Sequence, residues 1–73
     1  MDWCKVVGEN VRRLRLAKGM SQEELSFVSG LHRTYVSGVE RGRRNPTVVV
    51  IAQLADALGA EPAKLLEKTK KGQ

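Results

Sequence analysis

The stretch LHRTYVSGVERGRRNP, Leu31 to Pro46, decides how the chain is read. On a helical wheel Tyr35, Val36 and Val39 fall on one side, and Arg33, Thr34, Ser37, Gly38 and Arg41 on the other. A solvated helix face usually carries long Glu and Lys side chains. This one is short, nearly flat and positive at its edges, and Arg41, Arg43 and Arg44 follow at its end. It is a surface shaped for something to lie against.

Working outward, the preceding residues place that helix in a set of five. From Trp3 to Lys18, Val7, Val11 and Leu14, with Cys4 one turn earlier, keep helical spacing, and Gly19 ends the segment. Ser21 with Glu24 forms a capping box, each side chain meeting the other's backbone amide. It starts a short second helix from Gln22 to about Val28, burying Leu25 and Val28. Gly30 stops this helix, and only Ser29 to Leu31 separate it from the quoted one, which begins near His32. Two short helices with a tight glycine-containing turn make a helix-turn-helix. Thr47 caps a fourth helix, in which Val48, Ile51, Leu54, Ala55 and Leu58 keep helical spacing despite the β-propensity of the valine run. Glu61-Pro62 opens a fifth helix anchored by Leu65 and Leu66, and residues 67–73 fray. The expected architecture is all-α, one domain over residues 1–73.

Composition limits what such a domain does. With 73 residues it buries only about 60% of the surface its unfolded chain exposes and gains from a partner. Cys4 is the one cysteine and His32 the one histidine, so neither a disulfide, a zinc cluster nor a Cys–His catalytic pair is expected. No apolar run reaches the roughly 18 residues of a membrane span, and MDWCKVVGEN lacks the order of a signal peptide, so a cytoplasmic protein is expected. Thirteen Lys and Arg against eight Asp and Glu give a net charge of +5, which favours polyanionic partners. Paired carboxylates, a nucleophile with its base and a glycine-rich phosphate loop are all missing. The reading is a non-enzyme without metal, cofactor or small-molecule ligand.

Residues 7 to 66, VGENVRRLRLAKGMSQEELSFVSGLHRTYVSGVERGRRNPTVVVIAQLADALGAEPAKLL, resemble the phage repressor/Cro type of helix-turn-helix domain, the XRE-like family of bacterial transcription factors. With Gln22 as position one of the motif, Leu25 falls at four, Gly30 at nine, Val36 at fifteen and Val39 at eighteen. The string ERGRRNP adds support of its own. Ser26 stands where the family usually has Ala, His32 where a stronger N-cap is common, and the fourth helix lacks an early acidic residue. The text HRTYVSGVERGRRNP also looks like the small controller proteins of restriction–modification systems, stand-alone dimers of about this length.

The resemblance implies a lambda-repressor-like fold with the third helix in the major groove of double-stranded DNA and the second crossing the backbone. Carried onto matching positions, the base readers are Arg33, Thr34, Ser37 and Gly38. Arg33 leads, since a guanidinium takes guanine O6 and N7 together. Gly38 acts by letting the backbone approach closely, or for some packing reason, because glycine inside a helix costs about 1 kcal/mol relative to alanine. Gln22, at the amide-rich start of the second helix, is assigned a phosphate. Arg43, Arg44 and Asn45 are assigned the backbone or an adjacent minor groove. Tyr35 is either a core-edge residue with a wet hydroxyl or a DNA contact, while His32 and Arg12 are candidate phosphate contacts. Arg15 and Glu40 match a structural ion pair of the family.

Val49, Val50, Leu65 and Leu66 exceed what one small core uses, and a homodimer interface is expected there. Two heads then read half-sites about 34 Å apart. The function expected is a dimeric, nucleoid-associated bacterial or phage transcription regulator on an inverted repeat. With no second domain for an inducer, control comes through its own concentration. The alternative is an antitoxin-like module whose C-terminal residues 60–73 bind a protein, against which the short tail argues.

Overall fold

The computed structural model of the chain describes residues 1–68. Four α-helices follow in order: α1 (Trp3–Ala17), α2 (Gln22–Ser29), α3 (Arg33–Glu40) and α4 (Val48–Ala57). A single 3₁₀ turn, Pro62–Leu66, comes last. The local signals act as expected. Ser21 Oγ accepts the Glu24 amide at 2.9 Å while Glu24 Oε1 accepts the Ser21 amide at 2.8 Å. Thr47 Oγ1 accepts the Val50 amide at 3.1 Å and opens α4, so the valine run is helical. His32 caps α3 without a side-chain hydrogen bond.

The core is built from Val7 and Val11 of α1, Leu25 of α2, Val36 and Val39 of α3, Leu54, Ala55 and Leu58 of α4, and Leu65. α1 lies across α3 and the 3₁₀ turn, α2 against α3 and α4. The α1–α3 crossing is close at Gly8, where a methyl group would collide with the Val39 carbonyl oxygen and sit 2.8 Å from that of Glu40. Gly8 is therefore where two backbones meet.

Three expectations need correction. Val28 is exposed, and Ser29 is the buried residue beside Leu25. The inward face of α2 continues from Leu25 to Ser29, four residues on, where Gln53 Nε2 of α4 donates to the Ser29 carbonyl at 3.3 Å. Val48, placed on the core stripe of α4, is also exposed, because it is the first residue of its helix and overhangs the end.

The third correction concerns the C-terminal segment. In place of a fifth α-helix stands one 3₁₀ turn, too short for α-helical cooperativity. Asn10 Nδ2 donates to the Leu65 carbonyl at 2.9 Å and to the Glu67 carbonyl at 2.7 Å, so these oxygens are occupied by α1. Lys68 lies 6.0 Å from the centre of the Trp3 ring. The start of the tail expected to fray is thus tied to α1, and its remainder, residues 69–73, lies outside the described residues.

Candidate nucleic-acid interface

The end of α3 sets the geometry of the site. Gly42 adopts a φ of +74°, a left-handed conformation that glycine enters without steric cost. The Arg43 amide donates back to the Gly38 carbonyl at 2.9 Å and the Gly42 amide to that of Val39 at 3.0 Å. This hydrogen-bond pair ends the helix and turns the chain so that Arg43, Arg44 and Asn45 emerge beside α3. Pro46, buried, pins the far end of the loop.

On α3, Arg33 and Thr34 are exposed and Ser37 is half-buried, and Arg41, which caps the helix end, is exposed. These four share one face, and His32, the N-cap that precedes the helix, is also exposed. Arg12, Arg43 and Asn45 are exposed as well. Among the described residues the ion pairs are Arg15–Glu40 and Lys64–Glu67. The cations of α3 and its loop therefore have no carboxylate partner within the described part of the chain. Val36 and Val39, on the opposite side of α3, have no exposure at all and fix which face turns outward.

Arg15 and Glu40 meet as expected. Nε of Arg15 donates to Glu40 Oε2 at 2.7 Å and Nη2 to Oε1 at 3.0 Å, while Nη1 donates to the Met20 carbonyl at 2.8 Å. The hydrogen bonds that Arg15 donates to Glu40 raise its pKa above that of an ordinary arginine, against a smaller opposing effect of burial. Gln22 joins this group instead of facing outward: its Nε2 donates to Glu40 Oε1 at 3.0 Å. Glu23 and Glu24 stand in the same first turn of α2, and the Gln22 amide assigned to a phosphate is held here by Glu40, beside two further carboxylates.

Two further placements involve Arg44: Gly38 lies under it, and Tyr35 takes the core-edge placement, one of its two readings. Gly38 is buried, covered by the side chain of Arg44. Tyr35 is half-buried against the core, with the Arg44 guanidinium 5.4 Å from its ring centre. Of the apolar residues assigned to a dimer surface, Leu65 is fully buried in the protomer's own core. Val49 and Leu66 are exposed and Val50 is half-buried. Asn10, which ties the C-terminal segment to α1, was missed. Its signal was a polar residue next to Val11 on the apolar flank of a helix. Gly8 was missed too, and a glycine inside the α1 stripe was its signal.

The same arrangement occurs in proteins of known class. A helix-turn-helix family profile (HTH_3) matches residues 11–65. This chain belongs to that helix-turn-helix family. Among the family's relatives, the HTH-type transcriptional regulator y4dJ of Sinorhizobium fredii is 49% identical over 69 residues, covering 94% of this chain and 90% of that protein. The crystal structure of the restriction–modification controller protein C.AhdI from Aeromonas hydrophila superposes with a TM-score of 0.82 at 55% identity. That match covers 85% of this chain and 94% of the other. The controller protein C.Esp1396I, solved as a tetramer in complex with its natural 35 base-pair operator, gives a TM-score of 0.80 at 35% identity, covering 86% of this chain and 83% of that one. Among the described residues of this helix-turn-helix protein, no helix is long and apolar enough to cross a membrane.

Proposed function

We propose that this helix-turn-helix protein is a sequence-specific transcription regulator of the controller-protein kind, acting as a homodimer on inverted-repeat operator DNA. One observation carries the reading: α3 presents Arg33, Thr34 and Ser37 outward, flanked by Arg41, Arg43 and Arg44, with no intramolecular carboxylate on these cations among the described residues. The α3 face enters the major groove with Arg33 on a guanine edge, a bidentate contact worth about 1–3 kcal/mol of discrimination. Thr34 offers a hydroxyl and a methyl beside it. Arg43 and Asn45, with Arg12 and His32, take phosphates, which position the protein without reading sequence. The solved operator complex of C.Esp1396I supports this assignment by analogy of fold.

Self-association uses the outer surface of α4 and the end of the 3₁₀ turn, where Val49 and Leu66 are exposed and Val50 lies at the edge. Leu65 has no part in it. The role requires neither turnover nor cofactor, and its place is the nucleoid in the cytoplasm. An antitoxin-like role for the C-terminal segment is disfavoured by its attachment: Leu65 fills the core and Asn10 holds the backbone on either side of Leu66.

Selection of binding sites from random duplex DNA, carried out with the wild type and with Arg33→Ala, tests the proposal. An inverted-repeat consensus for the wild type is expected, with preference lost at one symmetric pair of positions in the variant. Failure of the wild type to enrich any sequence overturns the reading.

A further inference from the structure

At position 38 the recognition helix has no side chain, and Arg44 occupies the space. A methyl group on Gly38 would lie 2.8 Å from Arg44 Cγ, 3.2 Å from Nε and 3.6 Å from Cδ. One turn earlier, the Tyr35 ring carries the guanidinium of the same arginine, 5.4 Å from ring centre to Cζ. Gly38 is buried although Thr34 and Arg41 on its own stripe are exposed, so the arginine stem is what covers it. The loop closes accordingly, with the Arg43 amide bound to the Gly38 carbonyl at 2.9 Å.

The geometry points to a seat for Arg44: Gly38 supplies the slot for its aliphatic stem and Tyr35 the platform for its guanidinium. The arginine thereby becomes part of the DNA-facing surface of α3 instead of a free loop side chain. This rests on the reading of α3 as that surface. Gly38 and Tyr35 are positioning residues, and Gly38 influences DNA only through Arg44. The physical reason is entropic. A free arginine loses rotamer freedom when a duplex immobilises it, whereas a seated one has already lost part of it in the folded protein. A planar guanidinium suits the platform because it stacks on an aromatic face while its edge N–H donors stay available. The seat also explains a glycine inside a helix, where alanine has the better propensity.

The test is a double-mutant cycle on a duplex carrying the site selected by the wild type, read by fluorescence anisotropy. Gly38→Ala is expected to fold with an unchanged or raised thermal midpoint, because the group it displaces is a flexible side chain. It is expected to bind about two- to fivefold more weakly, the equivalent of an exposed stacking contact. Arg44→Ala weakens binding at least as much, and Gly38→Ala costs nothing further in the Arg44→Ala background. Additive losses in the double variant would mean that Gly38 meets DNA directly, and they overturn the seat, as does full affinity for Gly38→Ala.

A readout without DNA runs in parallel. The Arg44 δ-methylene protons should show an upfield ring-current shift in the wild type and in Tyr35→Phe, lost in Tyr35→Leu and Gly38→Ala. An unshifted wild type overturns the seat by itself. A wild type that bound no duplex yet kept the shift would refute the DNA reading and leave the seat standing, so the two failures are distinguishable.

Discussion

Arg15 of α1 grips Glu40, the last residue of α3, through two parallel hydrogen bonds of 2.7 and 3.0 Å. Both residues are buried. A third guanidinium bond to the Met20 carbonyl and the Gln22 amide on Glu40 extend the contact to the start of α2. The helices α1, α2 and α3 are thereby joined at one point.

Removal of one partner leaves a buried charge uncompensated, which costs about 3–5 kcal/mol in well-buried pairs. Glu40→Ala is accordingly expected to lower the urea midpoint by the equivalent of about 3 kcal/mol, a large share of the stability of so small a domain. DNA affinity falls second, through the loss of folded protein. An unchanged midpoint with weakened binding would reverse that order. The Arg15 pKa is raised on folding, so its contribution is complete below the unfolded pKa and is lost only as pH rises through the higher folded value. Across the neutral and mildly alkaline range the contribution of this cation should stay constant.

Gly8→Ala tests the helix crossing. On propensity alone the change stabilises a helix by about 1 kcal/mol. Here the added methyl meets the carbonyl oxygens of Val39 and Glu40, which are backbone atoms and yield only if α1 and α3 move apart. Overpacking of this kind costs about 1–3 kcal/mol, so net destabilisation is expected. A raised melting temperature would show that the crossing is looser than described.

Arg33 and Arg43 separate reading from positioning. Arg33→Ala should lose about 1–3 kcal/mol at one base position and leave the salt dependence nearly intact. Arg43→Ala should weaken all sequences alike and reduce the slope of log K against log salt by about 0.9. Binding isotherms at several salt concentrations, on the selected site and on scrambled DNA, check both. An exchange of these two patterns would reverse the assigned roles.

Val49 and Leu65 separate self-association from folding. Val49 is 69% exposed, so Val49→Glu should leave the fold intact and weaken dimerisation by on the order of tenfold or more. Sedimentation equilibrium reads this directly. Leu65→Ala should instead cost about 2–5 kcal/mol of folding stability, because Leu65 has no exposure in the protomer. A Val49→Glu protein that remained as dimeric as the wild type would place the interface elsewhere.

By itself the sequence determined the first four helices, their order and the outward face of α3. Those features follow from local rules: the Ser21–Glu24 box, the Thr47 cap, the glycines after each helix and the spacing of Val7, Val11, Leu25, Val36 and Val39. Each rule acts over a few residues and is legible as text. The Arg15–Glu40 pair was legible only through resemblance, since its partners stand 25 residues apart. What the tertiary structure alone decided depends on contacts between segments distant in sequence. It put Leu65 inside and Val28 outside, turned Gln22 toward Glu40, and shortened the last helix to a 3₁₀ turn held by Asn10. It also laid Arg44 over Gly38. Periodicity tells which residues share a face, but what a face meets is fixed only when the segments pack together, and at Gly8, Asn10 and Gly38 that meeting gives each residue its role.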